Sequence, residues 1–504
     1  MARGKKKESL TIEEKLEAAL VPVGEQPYEV PRNWCWVKLK SLSEIISKGT
    51  TPRGGKSAYK EQGIDFLRVE NIEDNGSINH DNIAKVSEEE HKGFLKRSIL
   101  QKGDVLVSIA GTLGRTAIVK ETDLPLNTNQ AIAFVRLVSQ EKIDLNYIKG
   151  AIDSPRIQES LLSKTKVTAI PNLTLEIIGD CCIPFPPLPE QHRIVERIES
   201  LFSQLDEARD KAQEALDGFS IRRQSYLHKA FIGKISQSWR SENKQNTDNL
   251  LNVIDADIKT IKKKRIKKVG NDAIISLAGK IPKEWAIVDL DRIAGKITDG
   301  EHSTPTRVDN YEGYYLLSAR NVYDDDLRLD DVDYIDRSEF ERIGKRCNPR
   351  KGDVLISCSG SVGRSCVIDD ENNYCMVRSA AMISVVRCNP RFIMYMIQAD
   401  EVQDQIKKLS KQTAQANLFL GAIAALYIPI PSIQEQNEIV RLLDDMLLKD
   451  NETKNNIANL ITDIELTKKS ILAKAFRGEL GTNDPEDESA IELLKRVIGD
   501  SQDK

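Results

Sequence analysis

Two stretches of this chain carry the same polar side chains in the same order. Residues 102–115 read KGDVLVSIAGTLGR and residues 351–364 read KGDVLISCSGSVGR, identical at nine of fourteen positions. Each offers a carboxylate (Asp104, Asp353), a hydroxyl (Ser108, Ser357) and a guanidinium (Arg115, Arg364) around a pair of glycines. No Ser-His-Asp order, HExxH or Gly-x-Ser-x-Gly elbow can be assembled around them. The Asp-Pro-Pro-Tyr-like and Asn-Pro-Pro-Tyr-like motifs of amino-methyltransferases are absent. Gly54-Gly55-Lys56-Ser57 approaches a phosphate-binding loop, but Gly49 is separated from Gly55 by five residues where four are required. The remaining polar residues kept in both copies are Asn71/Asn321 and Asn172/Asn417. That shared set suits hydrogen bonding to a ligand better than catalysis.

The elements around these residues are duplicated too. Pro31–Trp34 (PRNW) is answered by Pro282–Trp285 (PKEW), Thr51-Pro52 by Thr304-Pro305, and Asn71-Ile72 by Asn321-Val322. Thr168–Leu173 meets Thr413–Leu418, IPFPPLPEQ (183–191) meets IPIPSIQEQ (428–436), and LHKAFIGKI (227–235) meets LAKAFRGEL (472–480). The order is kept and the offset drifts only from 253 to 245, as short loop insertions would cause. The chain is two copies of one two-part unit.

In the latter part of each unit, apolar residues recur at steps of four and three. Ile194, Ile198, Leu201, Leu205, Ala208, Ala212, Ala215, Phe219 and Tyr226 form one seam, interrupted by Arg222. Ile439, Leu443, Met446, Asp450, Thr453, Ile457, Leu460, Ile464 and Ile471 form the other, with a break at Thr467. Such seams predict two long helices that bury them against each other; packing of each on its own globular part is the alternative. The first part of each unit mixes short strands (66–72, 104–110, 131–138, 353–359) with helices (145–153, 391–409), an α+β pattern occurring twice. A further helix is expected at 249–268.

A length of 504 residues suggests about three to four compact units. No stretch is apolar enough to cross a membrane, and MARGKKKESL lacks the apolar core of a secretory signal, so a cytoplasmic location is expected. Eight cysteines without a CxxC pair, with five scattered histidines, suggest neither a zinc site nor a disulfide framework. A net charge of −4 argues against a uniformly basic nucleic-acid binder. Local basic runs at 3–7 (RGKKK) and 262–268 (KKKRIKK) could still meet phosphates or simply be solvated, while acidic residues gather at 324–331 and after Gly481.

Two α+β domains, each followed by a long helix introduced by a P-x-x-EQ segment, resemble the DNA-specificity subunit of type I restriction–modification systems. The resemblance covers roughly residues 28–236 and 280–480. It rests on IPFPPLPEQHRIV (183–195) with IPIPSIQEQNEIV (428–440), on the repeated KGDV stretch, and on the loops TPRGG (51–55), NTNQA (127–131) and TDGEHSTP (298–305). It implies an N-terminal arm (1–28), a target-recognition domain (29–186), a long helix (187–235), a basic linker (236–280), a second target-recognition domain (281–430), a second long helix (431–478) and an acidic tail (479–504). The fold would be two α+β recognition domains separated by an antiparallel coiled coil with pseudo-twofold symmetry, a ruler between two half-sites. The chain would be non-catalytic and bind double-stranded DNA. Methyltransferase subunits, two by the resemblance, would supply S-adenosylmethionine and adenine methylation. Restriction or translocase subunits, where present, would supply ATP and Mg chemistry. No cofactor or metal would be bound by this chain. The competing readings are a coiled-coil scaffold that binds proteins without DNA specificity, and a nucleotide-dependent enzyme.

DNA contacts are expected in loops. Arg115 and Arg364, kept in both copies, are candidates for positioning on phosphate, with a structural pairing to Asp104 or Asp353 as the alternative. Their turns contribute Ser108 and Thr112 in the first copy and Ser357, Ser359 and Ser361 in the second. Base readers should differ between copies, so Asn129 and Gln130 are set against Arg378 and Ser379. Thr51, Arg53 and Lys56 are loosely matched by His302, Thr304 and Arg307. Arg68 with Asn71, and Arg320 with Asn321, flank the same loops. Lys164, Lys166, Lys411 and Gln412 lie beside the TA-x-x-NL motif, where DNA, a partner or solvent could meet them.

Overall fold

A computed structural model describes residues 11–164, 172–243, 247–261, 266–273, 277, 279–309, 313–412 and 416–500. RGKKK, residues 262–265 of the second basic run, Lys166 and most of the first TA-x-x-NL motif lie outside the described residues. The chain divides into two compact units, Met1–Ala212 with Asn459–Lys504, and Gln213–Ala458. Length suggested three or four. The number is lower because the segments flanking the repeats join the two cores. In the first unit, helices Ile12–Ala19 and Ala490–Asp500 contribute Ala19, Ala490, Leu493, Leu494 and Val497 to one buried cluster. In the second, helix Thr247–Thr260 contributes Leu251 and Ile254. This helix ends earlier than the expected 268.

The first unit holds a four-stranded antiparallel sheet in the order β2-β8-β5-β6, made of Ser43–Lys48 (β2), Val105–Ser108 (β5), Thr116–Ile118 (β6) and Ile132–Leu137 (β8). A three-stranded sheet, β4-β3-β7, joins Ile64–Leu67 (β3), Ala84–Val86 (β4) and Leu126–Thr128 (β7), with β3 and β7 parallel. Cys35–Lys38 (β1) pairs with Cys182–Phe185 (β9). Almost every residue of β5 and β8 is buried, which accounts for their continuous apolar runs.

The second unit repeats this plan strand for strand. Its four-stranded sheet is β11-β17-β14-β15, from Ala294–Asp299 (β11), Val354–Ser357 (β14), Ser365–Val367 (β15) and Ala380–Val385 (β17). Its three-stranded sheet is β13-β12-β16, from Tyr315–Leu317 (β12), Asp333–Tyr334 (β13) and Tyr374–Met376 (β16). Ala286–Asp289 (β10) pairs with Tyr427–Ile430 (β20), and a short ladder joins Lys411–Gln412 (β18) to Ala416–Asn417 (β19).

Helix Leu145–Asp153 ends at extended Ser154, and Pro155 opens the next helix, Pro155–Ser163. The corresponding stretch 391–409 reads as one helix in sequence but is two, Pro390–Gln398 and Asp400–Leu409, separated by extended Ala399. No proline marks that second break.

The two long helices are Leu188–Phe231 and Ile433–Ala475. Within the first unit Lys468 meets Asp206 at 2.6 Å and Arg209 meets Glu465 at 3.8 Å, so the helical segments there run antiparallel. Within the second unit Arg222, the interruption of the first seam, donates to Asp450, a polar member of the second, at 3.2 Å. The seam is imperfect. Ala208, Ala215, Thr453 and Leu460 are exposed, and Ile461 rather than Leu460 is half-buried. A 3.6-residue helix drifts against a 3.5-residue repeat unless it supercoils, which moves the buried stripe by about one position.

Both helix starts are clamped in the same way. The Trp34 indole donates to Glu190 at 2.8 Å and the Trp285 indole to Glu435 at 3.0 Å. Gln191 accepts from the Asp144 backbone N–H and donates to the Pro186 carbonyl; Gln436 does the same with Asn389 and Pro431. All four Glu and Gln side chains are buried. Burial pushes the Glu190 carboxyl above its ordinary pKa, against the hydrogen bonds from Trp34 and Asn483. The EQ pair of the proline-rich segment is thus a structural staple between strand, loop and helix.

Candidate nucleic-acid interface

The strand registers bring the repeated loops to one end of each four-stranded sheet. In the first unit Ser108 pairs with Ile132, Lys48 with Ala133 and Val107 with Thr116. The segment after β2, the turn between β5 and β6 and the link between β7 and β8 therefore emerge together. The Leu173 N–H donates to the Ile109 carbonyl and adds residues 172–174 to the same end. Ser357 with Ala380, Asp299 with Ala381 and Ile356 with Ser365 do this in the second unit, where the Leu418 N–H reaches the Cys358 carbonyl.

Most residues common to both copies are used up in building these loops. The Ser108 hydroxyl donates to the Thr112 carbonyl at 2.5 Å and accepts from the Arg115 N–H at 2.8 Å; Ser357 does the same with Ser361 and Arg364 at 2.5 and 3.0 Å. Gly114 and Gly363 turn the chain with φ of 82° and 93°, where a side chain is strained. Asn71 and Asn321 are buried and cap the short turns that follow Arg68 and Ser318. Gly49 and Gly300 are fixed by close approach, because a Cβ there would lie 2.1 and 2.2 Å from the Asn129 and Met376 carbonyl oxygens.

The arginines of the repeated stretch do not pair with the aspartates in it. Arg115 donates to the Ile72 carbonyl at 2.9 Å and meets Asp74 at 2.7 Å, while Asp104 is held by both arms of Arg136. Arg364 lies over the Tyr323 ring at 4.9 Å. Asp353 accepts from the Arg350 backbone N–H at 2.9 Å, and burial raises its pKa.

The register also corrects the correspondence between copies. Asn129 and Val377 donate to the equivalent carbonyls of Leu67 and Leu317, and Gly49 and Gly300 to those of Ile132 and Ala380. Gln130 is therefore matched by Arg378, Asn129 by Val377 and Lys48 by Asp299. The loop after β11 is two residues longer than that after β2, so Pro52 and Pro305 still match and are both buried.

Around these loops the side chains differ. Arg53 stacks on the exposed Phe94 ring at 4.6 Å, Gln130 and Arg378 are exposed, and Thr51 is half-buried. Arg68 meets Glu70 at 2.6 Å. His302 contacts Asp299 at 2.8 Å, and Arg307 and Arg320 both hold Asp333 at 2.6 Å. Burial alone would raise the Asp333 carboxyl, but the two guanidiniums outweigh it and hold its pKa below the usual range. Thr304, Ser361 and Thr112 are exposed and Ser359 is half-buried. Lys164 ends helix Pro155–Ser163 beside a cavity shared with Cys181 and Cys182. Lys411 and Gln412 lie in β18; their side chains and that of Lys56 are outside what is described.

Two residues that hold these loops escaped the sequence reading. Arg97 donates to the Thr50 hydroxyl at 2.9 Å. Arg346 donates to the Gly300 carbonyl at 3.1 Å and to His302 at 2.9 Å, and pairs with Asp299. Each ties down the segment leaving the first strand of the sheet. The signal was present, since Lys96-Arg97 and Lys345-Arg346 both precede KGDV by four residues. Among the described residues no cluster of His, Cys, Asp or Glu could hold a metal, no helix is long and apolar enough to cross a membrane, and all eight cysteines are free.

The chain matches the family model described as the type I restriction modification DNA specificity domain twice, over residues 31–215 and 282–463. The specificity subunit of the type I restriction enzyme EcoBI of Escherichia coli is 22% identical over 461 residues, covering 89% of this chain and 86% of that protein. The EcoKI specificity subunit of Escherichia coli strain K12 is 21% identical over 470 residues, covering 90% of each. A solved structure described under the complex assembly and conformational transition of the type I R-M system aligns with a TM-score of 0.63 at 20% identity, over 90% of this chain and 100% of that one. The HsdS subunit from Thermoanaerobacter tengcongensis gives 0.53 at 20% identity, over 91% and 100%. These two likenesses are likenesses of fold.

Proposed function

The chain belongs to the type I restriction–modification DNA specificity family, and from that premise we propose that it reads a bipartite, asymmetric DNA site without catalysing a reaction itself. One observation carries the reading. In each unit the loops that differ between copies emerge at one end of a sheet, on a frame of serines, glycines and asparagines that is the same in both. A shared frame with divergent side chains is what two related readers of two different half-sites require. Phosphate contacts would set position, and exposed side chains such as Arg53, Gln130 and Arg378 would reach base edges. The pairs Arg307–Asp333, Arg320–Asp333 and Arg115–Asp74 keep guanidiniums ordered until phosphates compete for them.

Partner subunits complete the activity in this reading. Methyltransferase subunits bring S-adenosylmethionine and the adenine-methylating residues, and restriction subunits bring ATP-driven translocation and cleavage. The specificity chain supplies the address. The test is selection of preferred sequences from a random duplex pool by the full chain co-purified with its methyltransferase partner. Two short blocks separated by an unread gap of fixed length are expected. Enrichment of one uninterrupted block, or of no sequence, would overturn the proposal.

A further inference from the structure

Lys48 and Asp299 occupy the same place in the two units, at the last residue of the first strand of the four-stranded sheet. The charge is reversed between them. In the second unit Asp299 neutralises Arg346 and holds His302, so cation and carboxylate are satisfied within the protein. In the first unit the equivalent arginine, Arg97, is left with the Thr50 hydroxyl, and Lys48 is exposed with no side-chain partner among the described residues.

Lys48 lines a concavity of about 420 Å³ at the loop end of the sheet, together with Gln130, Asn172 and Thr174 over a floor of Ile109 and Leu173. Among the described residues no carboxylate lines it. The Gln130 and Asn172 amides likewise have no side-chain hydrogen bond among the described residues, and both residues are exposed. An ammonium and two amides therefore converge with unspent donors on a shallow apolar floor. A phosphate would be served by cations alone. An ammonium beside amides that both donate and accept fits the major-groove edge of a purine, where lysine meets the N7 and O6 of guanine and glutamine or asparagine meets the N7 and N6 of adenine.

We infer that Lys48 and Gln130, beside the shared Asn172, form the purine-reading pocket of the first unit, and that its charge reversal at Asp299 makes the second unit read a different base. The inference rests on the proposal that the chain reads DNA.

The test measures binding of the full chain, with its methyltransferase partner, to its selected duplex with each purine replaced in turn by its 7-deaza analogue, which lacks the N7 acceptor. The wild type should lose affinity by roughly 5- to 150-fold at one purine of one half-site. Lys48→Met and Gln130→Leu should abolish the loss at that position and leave the 7-deaza map of the other half-site unchanged. Both replace exposed side chains, and unchanged melting temperatures will verify the fold. Uniform weakening at every position, with the purine map intact, would make Lys48 a phosphate contact and overturn the inference. A wild type that shows no sequence preference would instead overturn the DNA-reading proposal itself.

Discussion

Arg97 and Arg346 hold the same place in the repeat yet meet different partners. Arg346 is tied to the loop it positions through Asp299, Gly300 and His302, so Arg346→Ala should release that loop and weaken binding by roughly 1 kcal/mol. Discrimination should fall at the bases of one half-site only, which a competition assay with half-site variants would show; equal loss at both halves would contradict the assignment. His80 stands between Asp65 and Asp123 at 2.9 and 3.1 Å. Burial opposes its protonation, but the two carboxylates outweigh this and raise its pKa above 6.5. The charged pair therefore stabilises the first unit fully below pH 6.5, and that stabilisation is lost as pH rises through the raised value. A wild-type melting temperature that exceeds that of His80→Gln at pH 6, with the gap closing at pH 9, is the expected result. At this scale the sequence was only partly legible. Arg97 could have been found by extending the repeat five residues upstream. The Lys48–Asp299 exchange was legible as well, since it keeps the offset of 251 that aligns PRNW with PKEW, and the two-residue insertion falls only after Gly49 and Gly300.

The EQ staple and the helix seam are properties of elements. Glu435 receives the Trp285 indole, Ser236 and Arg240 while itself buried. Glu435→Ala leaves these donors unpaired and should destabilise the second unit by about 3–5 kcal/mol in chemical denaturation. In the seam, Arg222 is half exposed, so its pair with Asp450 should show a coupling of only about 0.5–1 kcal/mol in a double-mutant cycle. Replacing both residues by leucine should be neutral or stabilising. Long helices and their interruptions were legible because apolar steps of three and four, sustained over about forty positions, fit helical geometry and no strand period. The break at Ala399 was not, since neither proline nor glycine marks it. The role of PRNW and P-x-x-EQ as two ends of one clamp was invisible as well, because the partners lie about 150 residues apart.

On the scale of the whole molecule, duplication was the most legible property and the unit count the least. Composition marked residues 479–504 as an acidic tail and 236–280 as a basic linker, yet an amphipathic helix from each is buried in a core. Charge on the outer face of a short helix hides its apolar stripe from any compositional reading. Each long helix begins in one unit and ends in the other, so removing one heptad from both should change the preferred gap between half-sites; an unchanged gap would separate helix length from spacing. The central claim is that the two units read two different halves of one site. The most direct measurement compares the sequence preferences of Lys48→Met and Arg378→Ala complexes by selection from random duplexes. The first variant should lose information in one block only and the second in the other block only. Loss in the same block for both variants, or in neither, would contradict it.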